Sequence, residues 1–133
     1  MNKLNTKNVM WIIAIINILM GIGSLLTGQA TAESSWGKAN VLAHDKFYEQ
    51  GYGFAFISTG IILLGIAMYT SGKVQAKLTL LTGLGTAIFL GGFWTMAASN
   101  DETYTLGVAY WLPPVIIIIL AAIAGQQGLK SAD

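Results

Sequence analysis

VMWIIAIINILMGIGSLLT, residues 9–27, is a run without a single Asp, Glu, Lys, Arg or His. Coiled as an α-helix, with about 1.5 Å of rise per residue, it is about 30 Å long and so matches the hydrocarbon thickness of a bilayer. Three more charge-free stretches follow, at residues 51–70, 78–98 and 106–125. A backbone amide in lipid has no water to turn to, so each segment must pair its own N–H and C=O groups and helices are forced. The run Val115 to Ile119 would suggest a strand in water, and in lipid it is overruled. Barrel strands would be shorter and would alternate apolar with polar residues, which these do not. The sequence therefore predicts an all-α fold: a four-helix bundle, one four-span membrane domain over residues 1–133.

The composition agrees. Hydrophobic residues make up 54% of the chain and charged residues 10%, too few charges to coat a soluble globule. A net charge of +1 with no basic run gives nucleic acid nothing to bind. All the cationic side chains are lysines, so no guanidinium fork is present for phosphate or carboxylate. With no cysteine, disulfides, thiolate nucleophiles, iron–sulfur clusters and thiolate zinc sites are excluded. Nothing in the chain calls for a cofactor.

Orientation is read from the lysines. Lys3, Lys7, Lys73, Lys77 and Lys130 fall on the side of the two termini, and Lys38 and Lys46 on the other. The positive-inside rule then predicts both termini in the cytoplasm; a bacterial or archaeal cytoplasmic membrane is the expected location. Tyr and Trp favour the headgroup layer, where Trp11 and Tyr69 mark the inner ends of spans and Tyr52, Trp94, Tyr110 and Trp111 the outer ends. Ala30, Thr31 and Ala32 resemble a signal-peptidase site, but the preceding run exceeds the usual core of about 7 to 15 residues, so an uncleaved anchor is expected.

Inside the spans the polar signals are sparse. Asn17 carries the one side-chain amide; it is expected to face another helix, through Ser58, Thr59 or Thr86 or the same Asn in a second copy. Thr79, Gly83, Ala87, Gly91 and Thr95 recur every fourth residue and predict a small-residue row for close helix packing. Pro113 and Pro114 remove two amide hydrogens and predict a kink in the fourth span. Proton relays and most ion-coupled carriers need an ionisable group within the membrane, and no span has one.

The densest chemistry lies in the outer segments. His44, Asp45, Tyr48 and Glu49 lead into span two, and Asp101 and Glu102 lie in the second outer loop. Spaced as i, i+4, Asp45 and Glu49 share one helix face and His44 and Tyr48 the adjoining stripe. An imidazole and carboxylates can ligate a divalent ion, but a lone His without H-x-x-x-H spacing is no metal motif, and no metal is predicted. A solvated helix start with Lys46 paired to Glu49 or Gln50 is expected instead. Asn40 before Val41, Leu42 and Ala43 predicts the cap of a short interfacial helix.

With Gly21, Ile22 and Gly23 late in span one, a long outer segment, Gly51, Tyr52 and Gly53 opening span two and a third span rich in small residues, the chain resembles small bacterial four-helix membrane proteins of uncharacterised function. That resemblance implies a four-span topology and brings no catalytic residues. Three functions are open to such a chain. The first is a non-catalytic membrane protein, acting as a homo-oligomer or an accessory subunit among lipids and other membrane subunits. The second is a passive carrier or lipid and hydrophobe binder, with a cavity beside Asn17 and Pro113. The third is an enzyme using His44, Asp45 and Glu49 at the outer face.

Overall fold

A computed structural model describes residues 4–99 and 107–131. Four helices account for nearly all of them: α1 (Thr6–Trp36), α2 (Asp45–Tyr69), α3 (Gly72–Ser99) and α4 (Val108–Ser131). Each is long and apolar enough to cross a membrane. No strand occurs among the described residues. Large apolar side chains, Leu26, Ile62, Ile88 and Met96 among them, cover the outside of the bundle, as lipid-facing surfaces require.

Helix α1 outruns its charge-free stretch, continuing for 31 residues through the alanines of the presumed cleavage motif, where Ala32 is wholly buried. It stops at Gly37, whose φ of 78° is a conformation that other L-residues rarely adopt and whose N–H bonds back to Glu33 O at 3.0 Å. The expected interfacial helix is not formed: residues 38–40 and 43–44 are turns. Asn40 does not open a helix but closes one, donating its Nδ2–H to Trp36 O at 3.1 Å. The carbonyls left open at the end of α1 need donors, and the Asn40 amide joins the Gly37 N–H in supplying them. Asp45 Oδ2 in turn accepts from Leu42 N at 2.7 Å, which fixes the entry into α2.

The helices pair as two hairpins, α1 with α2 and α3 with α4. On α1 the buried positions Met10, Ala14, Asn17, Gly21, Gly28, Ala32 and Ser35 advance by threes, fours and sevens, as do Gly53, Gly60, Leu63 and Ala67 on α2. That 3.5-residue period keeps two helices in contact along a left-handed crossing. Lipid supplies no hydrophobic drive for the pairing, so backbone proximity must, and glycine allows it. A Cβ placed on Gly21 would stand 2.5 Å from Gly53 O, and one on Gly60 2.9 Å from Ala14 O. In the second hairpin a Cβ on Gly83 would meet Ala121 Cβ at 2.9 Å and one on Gly125 would meet Leu80 Cγ at 2.5 Å.

The hairpins join at the end carrying the chain termini, here the terminal end. Val9, Met10, Ile13 and Ala14 of α1, Leu63 and Ala67 of α2, and Ile117, Ala121 and Ala124 of α4 form one buried cluster. Leu4 N donates to Gln127 Oε1 at 2.8 Å and Thr6 Oγ1 to Ala124 O at 3.3 Å, fastening α1 to α4. Gln75, buried on α3, donates to Thr70 O at 2.8 Å and so satisfies a carbonyl left open where α2 ends. Toward the opposite, loop end, α2 and α3 meet through aromatic edges, Phe56 on Phe89 at 6.0 Å and Tyr52 on Phe93 at 5.8 Å between centroids.

Candidate functional site

Where the hairpins part, space remains between them. A cavity of about 350 Å³ is bounded by Leu19, Met20, Phe56, Phe89, Leu90, Phe93 and Pro113, with Ser24, Thr27, Thr31, Glu49, Tyr52 and Tyr110 adding polar groups. On the far side of the Tyr52, Phe56 and Phe89 rings lies a second cavity of about 410 Å³, lined in part by Asn17, Thr59, Thr86 and Pro114. Trp36, Asp45, Tyr48, Glu49, Tyr52 and Phe93, with Met96 and Ala97, enclose a third of about 310 Å³ at the loop end. The first and third share Glu49, Tyr52 and Phe93 and so adjoin.

Glu49 stands at that junction. It is 7% exposed although it lies in the second turn of α2. Helix geometry explains this: Glu49 is four residues before Gly53 on the face that packs against α1, and its Cβ lies 3.6 Å from the point where a Gly28 Cβ would be. The Tyr110 hydroxyl of α4, itself buried, hydrogen-bonds the Glu49 carboxyl, and Asp45 is the other carboxylate that acts on it. Burying a carboxylate is costly without donors or a countercharge; the Tyr110 hydroxyl supplies a donor, and neither cavity wall brings a lysine to it. The expected pairing of Lys46 with Glu49 or Gln50 is not formed: Glu49 turns inward, and Gln50 Nε2 instead donates to Leu25 O at 3.2 Å, tying α2 to α1.

Of the other outer-face candidates, Asp45 and Tyr48 share the loop-end cavity with Glu49, and His44 stands beside them. His44 is exposed, its Nε2 3.5 Å from Asp45 Oδ1 and its ring edge-on to Tyr48 at 5.3 Å. Asp101 and Glu102 lie outside the described residues. Among the described residues no three His, Asp or Glu side chains gather as metal ligands. Asn17 is buried beside the second cavity, but its Nδ2 donates to Ile13 O at 2.9 Å on its own helix and not to Ser58, Thr59 or Thr86. The carbonyl four residues back is the nearest acceptor to a short polar side chain on a helix, and it wins.

The row on α3 divides. Thr79 and Gly83 are buried against α4, Ala87 is half-buried, and Gly91 and Thr95 are exposed, with nothing near the place of a Gly91 Cβ. Four residues turn a helix by about 400°, so a row of every fourth residue creeps around the axis by about 40° per step and leaves the neighbour it began on. Pro113 and Pro114 lie inside α4, each in the wall of a different cavity. Their missing amides leave backbone carbonyls of the preceding turn without helical donors at the cavity edge.

Sequence reasoning missed two elements of the site. The close approach of Gly21 to Gly53 was readable in principle, since Gly21 and Gly28 are seven apart, as are Gly53 and Gly60. The hydroxyl face of Ser24, Thr27 and Thr31 was likewise visible as i, i+3, i+7 spacing on α1. The chain matches no protein-family model, no curated protein and no solved structure.

Proposed function

We propose that the protein is a non-catalytic integral membrane protein that holds an amphiphile between its two helical hairpins, binding it reversibly from the surrounding lipid. The observation that carries this reading is the cavity of about 350 Å³ whose walls are aliphatic and aromatic and whose polar groups, Glu49 and Tyr110 with the α1 hydroxyls, are few. Such a division suits a ligand with an apolar body and a single polar head. The lysine distribution supports both termini on the cytoplasmic side, with the Glu49 end at the outer leaflet. Protein taken from its native membrane in mild detergent is expected to retain one amphiphile per chain in native mass spectrometry. Chains that are uniformly empty contradict the reading.

The second reading is a structural one, in which the protein is a homo-oligomer or an accessory subunit of a membrane complex. It is favoured by the exposed Gly91, Gly92 and Thr95 on α3, with open space before both glycines, a surface on which another helix can approach closely. The same mass spectrum decides it: a fixed ratio of copies or of a second protein supports assembly.

A further inference from the structure

We infer that the cavity at the loop end is an aromatic cage for an organic ammonium head, and that the ligand of the adjoining cavity is therefore a cationic amphiphile. This rests on the reading of that cavity as an amphiphile site and names the charge of the head.

Trp36 from the end of α1, Tyr48 and Tyr52 from α2 and Phe93 from α3 line one space of about 310 Å³, and Asp45 and Glu49 bring two carboxylates to it. An ammonium group is attracted to an aromatic face when it lies within about 6 Å of the ring centroid, and the attraction grows as water is removed. The carboxylates supply the countercharge. Glu49, 7% exposed, faces this space and the larger cavity alike, while Tyr48, 58% exposed, stands at the edge toward solvent.

The same lining argues against a phospholipid head. No lysine borders either cavity, so the phosphate of a zwitterionic lipid would be placed beside two carboxylates with no cation to balance it, a like-charge contact that costs affinity. A quaternary or alkyl ammonium without a phosphate meets no such penalty. Its apolar chain has room past Tyr52 and Phe93 in the cavity between the hairpins, where Phe56, Phe89 and Leu90 line the wall. Asp45 already accepts from Leu42 N and lies 3.5 Å from the His44 ring, whereas Glu49 accepts from the Tyr110 hydroxyl and has no lysine beside it in either cavity wall, so it is the carboxylate whose charge the ligand meets.

The test uses purified full-length protein in a nonionic detergent and isothermal titration with three probes sharing one octyl chain. These are octyltrimethylammonium, its uncharged tert-butyl-headed analogue, and the phosphocholine. The cation is expected to bind one per chain, at least about tenfold more tightly than either of the others. Glu49→Gln is expected to remove about tenfold or more of that affinity, and Tyr48→Leu, at an exposed position outside the buried core, several-fold. Lys46→Gln, on the same turn but outside both cavities, is expected to leave the affinity unchanged. If the uncharged analogue binds as well as the cation, the amphiphile site stands and the cage is overturned. Phosphocholine binding as tightly as the cation likewise overturns it, in favour of a lipid head. If none of the three binds, the cage fails together with the reading it rests on.

Discussion

The two ends of this bundle are both built largely from apolar residues, of different sizes, and do opposite things. At the terminal end, Val9, Met10, Ile13 and Ala14 lock against Leu63, Ala67, Ile117, Ala121 and Ala124, and three helices share one core. At the loop end the hairpins keep their internal glycine contacts but meet each other through ring edges, and the space between them stays open. Side-chain size makes the difference. Alanines and glycines at the terminal end let helix axes close in, whereas Phe56, Phe89, Phe93 and Tyr52 hold the axes apart at the loop end and line what they cannot fill. In lipid, where burial of apolar surface gains nothing over exposure to acyl chains, such packing differences decide where a membrane protein is solid.

The largest effect that this contrast predicts is at the terminal end. Ile13→Ala deletes atoms from a site of 0% exposure and is expected to cost about 3 kcal/mol in denaturant unfolding from micelles. Leu90→Ala removes the same number of carbons from a wall that already faces a cavity and is expected to cost about 1 kcal/mol. Equal losses would erase the distinction between the two ends.

Next in size is the glycine seam inside the first hairpin. Gly21→Ala puts a methyl against Gly53 O and is expected to cost about 2 kcal/mol, while Gly51→Ala, with nothing within 4 Å, should leave the midpoint unchanged or raise it slightly. The smallest effect sharpens the reading of α3. Gly83→Ala, facing Ala121, is expected to destabilise by about 1 kcal/mol, and Gly91→Ala to fall within about 0.5 kcal/mol of the parent in the monomer. Melting curves of the two variants side by side check this, and a loss confined to Gly91→Ala would mark that face as buried in an assembly.

How far the fold could be read from the chain follows from what each signal depends on. The four helices were legible because charge-free length is a one-dimensional property, fixed by bilayer thickness and backbone hydrogen bonding. The length of α1 was not. Its last turns, through Glu33 and Trp36, leave the apolar stretch and end only where Gly37 takes a positive φ. The small-residue row on α3 identified Thr79 and Gly83 as packing positions, yet a four-residue period drifts around the helix, so Gly91 and Thr95 face outward. The seven-residue spacing of Gly21 with Gly28 and of Gly53 with Gly60 holds one face, and it marks the tighter hairpin. Glu49 was legible as chemistry but not as a buried group. Only the packing of α2 on Gly28, and the arrival of Tyr110 from the far end of the chain, turn it from a solvated helix start into the polar point of a cavity. Asn17 shows the reverse case, a polar signal expected to join helices that its own helix satisfies.

The most direct measurement of the closed end and the open end exploits the absence of cysteine, because any thiol introduced reports its own surroundings alone. Ser24→Cys, in the cavity wall, and Ala124→Cys, at 0% exposure in the terminal core, are to be treated with a small water-soluble thiol reagent in intact protein. The account predicts rapid modification at position 24, slowed by octyltrimethylammonium, and none at position 124 until the protein is unfolded. Equal rates at the two positions, or a position 24 as inert as position 124, would contradict an opening between the hairpins.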